Sequence, residues 1–148
     1  MGKIKGKVVS INISSRKGMR KKSVKEAEII TDHGIKDDAH ASGTWHRQIS
    51  LLALESIKKM QEKGLSVKPG DFAENITTES IDLLELPIGT RMKIGNVEAE
   101  VSQIGKECHT RCAIYYLAGD CVMPKEGIFV KVLKGGKIRE GDEIVVST

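Results

Sequence analysis

Leu86-Pro87-Ile88-Gly89-Thr90-Arg91-Met92-Lys93-Ile94-Gly95, running on into Val97 to Val101, is the stretch whose pattern decides the fold. Short β-branched runs alternate here with glycine turns. Leu133-Lys134-Gly135-Gly136-Lys137-Ile138-Arg139-Glu140-Gly141-Asp142, leading into Glu143 to Val146, echoes it. Glycine reaches φ > 0 at little steric cost, so both segments read as corners of a small barrel or strongly bent sheet. Neither has the Lys-Ser/Thr pair and following helix of a P-loop, which excludes that mode of phosphate binding.

Outward from these corners the first half adds further strands. In Lys3 to Ile13, Val9, Ile11 and Ile13 alternate with polar residues, the two-residue period of a strand. Val24 to Thr31, closed by Asp32-His33-Gly34, reads as a second strand and Gln48 to Leu52 as a third. A helix follows over Ala53 to Lys63, with Leu54, Ile57 and Met60 on one stripe and Gly64 as its C′ residue. Pro69-Gly70 forbids its continuation. No repeat, low-complexity tract or linker divides the 148 residues, which suit one hydrophobic core. The expectation is a single domain over residues 1–148, mainly β and barrel-like, with one or two short helices.

No apolar run approaches the roughly 20 residues of a membrane span. The N-terminus has basic residues without an apolar segment behind them, unlike a secretory signal, so a cytoplasmic protein without a membrane partner is expected. Residues 1 to 25 hold nine Lys or Arg and no acid. Such an arm attracts polyanions, although its plainer reading is a solvated loop. Aromatic residues are 3% of the chain, leaving few platforms for stacking bases. With no RNP, helix-turn-helix or zinc-finger spacing, sequence-specific nucleic-acid binding is not expected.

Three segments carry groups capable of chemistry. Cys108, Cys112 and Cys121, with His109 beside the first, do not form the framework of a secreted disulfide protein. In donor type they suit a Cys3His zinc site, but the spacing lacks the usual paired knuckle, so zinc is the less favoured reading. Lys106, His109 and Arg111 would favour a thiolate at Cys108 if they lie near it in space, whereas Glu107 opposes it. The second segment, Asp37-Asp38-Ala39-His40-Ala41-Ser42-Gly43-Thr44-Trp45-His46-Arg47-Gln48, gathers two imidazoles and a guanidinium just before a strand. Arg47 suits bidentate binding of a phosphate or oxyanion, and His40 and His46 could donate to it; ordinary hydrogen-bonding roles for both histidines are the alternative. In the third, Pro69 to Thr78, Asp71, Glu74 and Asn75 cluster near a turn, where capping is the commoner role.

Taken in order, these segments resemble the MOSC family, the domain at the C-terminus of molybdenum-cofactor sulfurases, and especially its small stand-alone bacterial members. The resemblance rests on Asp38-Ala39-His40 with His46 to Leu52, Pro69 to Thr78, Leu86 to Thr90, Ile104 to His109, and Gly127 to Val132 with Gly135-Gly136 and Gly141-Asp142. One departure is Asp37, where the family usually has glycine; Asp tolerates the left-handed region better than most residues. The resemblance implies a β-barrel-like MOSC fold and a cysteine, matched by Cys108, that carries sulfur or contacts a molybdenum-cofactor-like pterin. It implies cofactor-binding roles for His40, His46, Arg47, Asn75 and His109. Implied partners are a sulfur donor such as a cysteine desulfurase and a protein of the molybdenum-cofactor pathway. Larger relatives carry a pyridoxal-phosphate desulfurase domain upstream; these 148 residues leave no room for one, so a pyridoxal-phosphate label would belong to the family alone. Sulfur-transferase activity stands beside the alternative of a non-catalytic barrel, with or without zinc to stabilise it, that binds a small anion or a partner.

Overall fold

The computed structural model describes residues 3–14, 21–39, 41, 43, 48–72, 74–105 and 126–147. Its elements in chain order are β1 (Lys3–Ile13), β2 (Lys22–Val24), β3 (Glu26–Ile30), β4 (Gly34–Ile35), β5 (Ile49–Ala53), α1 (Leu54–Glu62) and β6 (Ile76–Glu79). A 3-10 turn (Leu83–Glu85), β7 (Arg91–Ile94), β8 (Val97–Ile104), β9 (Ile128–Lys134), β10 (Gly136–Arg139) and β11 (Glu143–Ser147) follow. Seven strands close a barrel in the order β1-β11-β7-β8-β9-β5-β6 and back to β1. β2 hangs on β1 outside the ring, and β10, β3 and β4 form a separate small sheet.

The seam of the barrel is β1. Lys3 to Lys7 pair with β11, and Lys7 to Ile11 pair with β6 across a register shift between Val8 and Ser10. An extra residue in one strand bends it and reverses which side chains face inward beyond it. The predicted alternation through Val9 is therefore broken: Val8 and Ile11 are both fully buried, and Val9 is half-buried. The expected strand from Val24 to Thr31 is divided at Lys25. β2 stays with β1, whereas β3 leaves to pair with β10.

Val8, Ile49, Leu51, Ile94, Val130 and Ile144 are among the side chains that fill the barrel. A second cluster forms where α1 lays Ile57 and Met60 against Leu52, Phe72 and Phe129 on the outer wall. β5 is thereby covered on both faces, which explains its near-continuous apolar sequence. Full burial of a side chain such as Leu52 contributes about 1.5–3 kcal/mol. Ser56 joins Ile57 and Met60 on the buried helix face, while the predicted stripe residue Leu54 remains half-exposed. The two glycine corners serve different ends. Gly95, at φ 57°, turns β7 into β8 as a hairpin, whereas Gly141, at φ 92°, returns the chain from the small sheet to the barrel.

Gly64 and Gly70 have φ values of 92° and 93°, but different surroundings. A Cβ on Gly64 meets nothing within 4 Å, whereas one on Gly70 overlaps the Lys21 carbonyl oxygen. Gly64→Ala should cost about 1–2 kcal/mol, the backbone penalty alone. Gly70→Ala should cost clearly more, because the clash is with backbone. Urea unfolding of both variants measures the difference; equal costs would show that the approach of Gly70 to Lys21 does not constrain the fold.

Candidate functional site

The loop that leads from β4 to β5 is fastened at both ends. At its start Asp37 has φ 69°, so the aspartate does adopt the left-handed conformation expected of this position. The Ala39 N–H donates to the Ser14 carbonyl at 2.8 Å. Asp38 Oδ1 lies 2.7 Å from Lys21 Nζ, in a pair whose side chains are 1% and 0% exposed. The Ser14 N–H donates to the same oxygen at 3.1 Å. Burial alone would raise the Asp38 pKa and is the largest single influence, but Lys21, the Ser14 N–H and Asn75 together hold it below its ordinary value. Lys21 is therefore not part of a solvated basic arm. Lys22 and Lys25, which follow it, are exposed.

At the other end Gln48 is 1% exposed and grips β9 twice. Its N–H donates to the Val130 carbonyl at 3.2 Å, and its Oε1 accepts from the Val132 N–H at 2.9 Å. Its Nε2 donates to Asp32 Oδ1 at 3.0 Å.

Beside Asp38 lies a buried polar floor contributed by β1, β5 and the entry to β6. Asn75 Oδ1 accepts from the Ser50 N–H at 2.9 Å and from its hydroxyl at 3.2 Å, while Nδ2 donates to the Asn12 carbonyl at 3.3 Å. The Asn12 amide donates to the Glu74 carbonyl and to Thr77 Oγ1. Glu74 Oε2 accepts from the Thr77 hydroxyl at 2.7 Å and from the Gly70 N–H at 3.1 Å. Its Oε1 has no hydrogen-bond partner among the described residues. Burial pushes the Glu74 pKa above its ordinary value, against the pull of these donors.

Of the predicted site residues, Asn75 is fully buried in this floor. His40, His46, Arg47, Cys108 and His109 lie outside the described residues, as do Cys112 and Cys121 of the zinc alternative. Their anchors are described. Ala39 and Ala41 flank His40, and Gln48 follows Arg47. The connection carrying the cysteines leaves β8 at Gly105 and rejoins β9 at Gly127, where the Gly105 N–H donates to the Gly127 carbonyl at 2.7 Å. Glu126 ties its far end to α1, accepting from Ser56 at 2.7 Å and from Lys59 at 3.0 Å. Gln48 bonds to β9 at Val130 and Val132, on either side of Lys131. Gly127 is four residues back along the strand, about 13 Å at 3.3 Å per residue. No group of three or more metal-ligating side chains occurs among the described residues. Among those residues no helix is long and apolar enough to cross a membrane.

Sequence reasoning missed Lys21, Asn12, Gln48 and Asp32. Nothing in the run Arg20-Lys21-Lys22 distinguishes the one buried lysine. A signal for Gln48 was present, since a polar residue opens an otherwise apolar strand.

Asp38 and Glu74 should shape stability against pH in opposite directions. The folded Asp38 carboxyl sits below its unfolded value of about 3.9, so its contribution is complete above that pH and is lost as pH falls through the folded value. Glu74 sits above its unfolded value of about 4.3, so stability declines as pH rises from there through the folded value. Denaturant unfolding across the acid and neutral range should show Asp38→Asn flattening the acid limb and Glu74→Gln removing the decline above it. Variant curves parallel to the parent's would refute both assignments.

The MOSC domain family matches residues 38–145 of the chain. None of the curated proteins matches it in sequence. Among solved structures, the YuaD protein of Bacillus subtilis superposes with a TM-score of 0.80 at 18% identity, covering 98% of this chain and 97% of that one. YiiM of Geobacillus stearothermophilus gives 0.71 at 20% identity over 97% of this chain and 75% of its own. YiiM of Escherichia coli gives 0.66 at 18% identity over 96% and 70%. These likenesses are of fold, and they agree with a family match that takes in Asp38, Gln48, Ser50, Glu74, Asn75 and Thr77 and most of the barrel. The chain belongs to the MOSC domain family.

Proposed function

We propose that this MOSC domain is a sulfur-carrier or cofactor-binding module of molybdenum-cofactor chemistry. Cys108 accepts persulfide sulfur, and His40, His46, Arg47, His109 and Asn75 serve an anionic pterin-type ligand. The observation that carries this reading is the pairing at the start of the loop: Asp38, the buried carboxylate that opens it, is held 2.7 Å from Lys21. Its charge is thus compensated within the protein and does not compete for an anion that the donors of this segment take up.

The donor set fits such a ligand in type. Arg47 offers two parallel N–H donors to a phosphate or oxo group, and the imidazoles donate when protonated or in the matching tautomer. When bound, the cofactor supplies the metal centre that accepts sulfur. The protein's own step is an exchange. The Cys108 thiolate attacks the outer sulfur of a donor persulfide, a new S–S bond forms on Cys108, the donor's S–S bond breaks, and the donor leaves as its thiolate with the electron pair. The proton of the persulfide travels with the transferred sulfur, so no outside oxidant or reductant is needed. Lys106, His109 and Arg111 are the cations available to stabilise the attacking thiolate.

Incubation with a cysteine desulfurase and free cysteine, followed by mass-spectrometric mapping, should find the added sulfur on Cys108. Cys108→Ala should accept none, while Cys112→Ala and Cys121→Ala load as the parent does. Equal loading of Cys108→Ala and the parent would remove the carrier role.

Arg47→Lys keeps the charge but loses the planar fork. A charge-assisted hydrogen bond contributes about 1.5–3 kcal/mol, so molybdate or a pterin phosphate should bind roughly 10-fold to 150-fold more weakly, with the melting temperature little changed. Unchanged affinity would overturn the anion-site role of Arg47.

A further inference from the structure

Glu74 is a buried carboxyl that ties two segments of chain together and has no ion-pair partner among the described residues. It is 0% exposed, at the entry to β6. Its Oε2 is taken twice, by the Thr77 hydroxyl at 2.7 Å and by the Gly70 N–H at 3.1 Å, whereas its Oε1 meets no donor among the described residues. The Gly70 carbonyl in turn accepts from the Lys21 N–H at 2.9 Å. One side chain therefore fastens the turn at Gly70 to β6 and, through Gly70, to the chain that enters β2. Val67 and Phe72, buried against α1, bound this turn on either side. The charged groups on the surrounding elements are engaged elsewhere. Lys21 pairs with Asp38, Lys68 lies 3.3 Å from Asp71, and Glu79 stands opposite Lys7 at the far end of β6. Lys22 is exposed, and the groups that β1 and β6 bring to the network, Asn12 and Thr77, are uncharged.

The two protonation states of such a carboxyl hold the turn unequally. The protonated group keeps both bonds at Oε2 and buries no charge. The ionised group leaves a buried charge without a cation and with one oxygen unmet, which costs far more than an unmet neutral group. We propose that Glu74 is a proton-operated latch: protonated, it holds the Gly70 turn against Lys21 and β6, and on ionising it releases that turn locally while the barrel stays folded. The sign follows from linkage. Burial, the largest influence, raises the carboxyl above its ordinary value in the closed turn, and opening returns it to water and to about 4.3. The latch is fully held below that value and loosens as pH rises through the value of the closed form. Between the two, the opening constant grows by up to about ten-fold per pH unit, the limit for release of one proton. Opening a turn requires less free energy than unfolding the barrel, so the two events are separable.

The test is hydrogen exchange of the full chain, read amide by amide from about pH 4 to about pH 8 and corrected for intrinsic rates, with the Glu74 side-chain carboxyl carbon followed by NMR over the same range. The amides of Lys21 and Gly70 report the latch. The Val101 N–H, bonded to the Thr90 carbonyl at 2.8 Å, reports the barrel. Opening constants at Lys21 and Gly70 should exceed that at Val101 throughout and should rise with pH, with the rise centred where the Glu74 carboxyl titrates. Glu74→Gln keeps an acceptor oxygen for Gly70 and Thr77 but cannot ionise, so its Lys21 and Gly70 amides should stay at the parent's low-pH level across the range. The proposal is overturned if those amides open only as often as Val101, if their opening does not change with pH, or if Glu74→Gln shows the same rise. It is equally overturned if the Glu74 carboxyl titrates at its ordinary value. Should Glu74→Gln fail to fold, the coincidence or mismatch of the two titrations in the parent decides alone.

Discussion

The amide of Asn75 holds the barrel together where strand pairing alone does least. Of the pairs that close the ring, β5 with β6 is parallel and the others are antiparallel. Parallel pairing is slightly weaker per residue, and this pair is registered over only Leu51 to Ala53. Asn75 stands just before β6 and binds the backbone of both flanking strands, Ser50 on β5 and the Asn12 carbonyl on β1. A main-chain ladder reaches one neighbour on each side through fixed donors. A fully buried side-chain amide adds bonds to both neighbours at once, and there it must do so, because an unmet polar group in the interior costs about 1–3 kcal/mol. Asn12, Thr77 and Glu74 extend the same network, so one set of hydrogen bonds joins the entrance to β6, the turn at Gly70 and the end of β1.

The start of the loop is tied down through Lys21 and Asp38. Removing both charges from water is expensive, and the attraction between them offsets the cost only with good geometry and further hydrogen bonds. Both conditions hold: the contact is 2.7 Å, and Ser14 supplies a second donor to the same oxygen. A pair of this kind is weak grounds for claiming stability, since well-packed apolar residues often serve as well. Its consequence lies in register and charge. It fixes where residue 39 departs from the barrel, and it leaves the floor without the negative charge that Asp38 alone would present.

Much of the fold was legible because its signals are local. Glycine at Gly95 and Gly141, the run from Ile49 to Leu52 and the helix ending at Gly64 each declare their conformation within a few residues. Asp37 was legible for the same reason, since tolerance of positive φ belongs to the residue type. What escaped depends on distant partners. The shift at Val8 to Ser10 is imposed by pairing with β6, about 70 residues away, and the burial of Lys21 follows from a carboxylate across the loop. Leu54 sits on the stripe by period alone, yet the barrel wall is covered by Ser56, Ile57 and Met60. Periodicity names a face; only the packed neighbour decides how much of that face is used.

The two chemistry-bearing segments share β9 as their ruler. Gln48 is fixed to it at Val130 and Val132, and the cysteine-bearing connection starts and ends at Gly105 and Gly127, about 13 Å back along the strand. Cys108 is three residues beyond Gly105, a reach of about 10 Å at full extension, and Arg47 is one residue before Gln48. On the proposed reading, those lengths, with the long guanidinium side chain added, let Cys108 and Arg47 serve one ligand. The same reasoning explains why the anchors are so heavily bonded. When two functional groups must cooperate across a strand, each degree of freedom left at an anchor is multiplied by the length of chain beyond it, and Gln48, Asp38 and Glu126 each remove such freedom at the root.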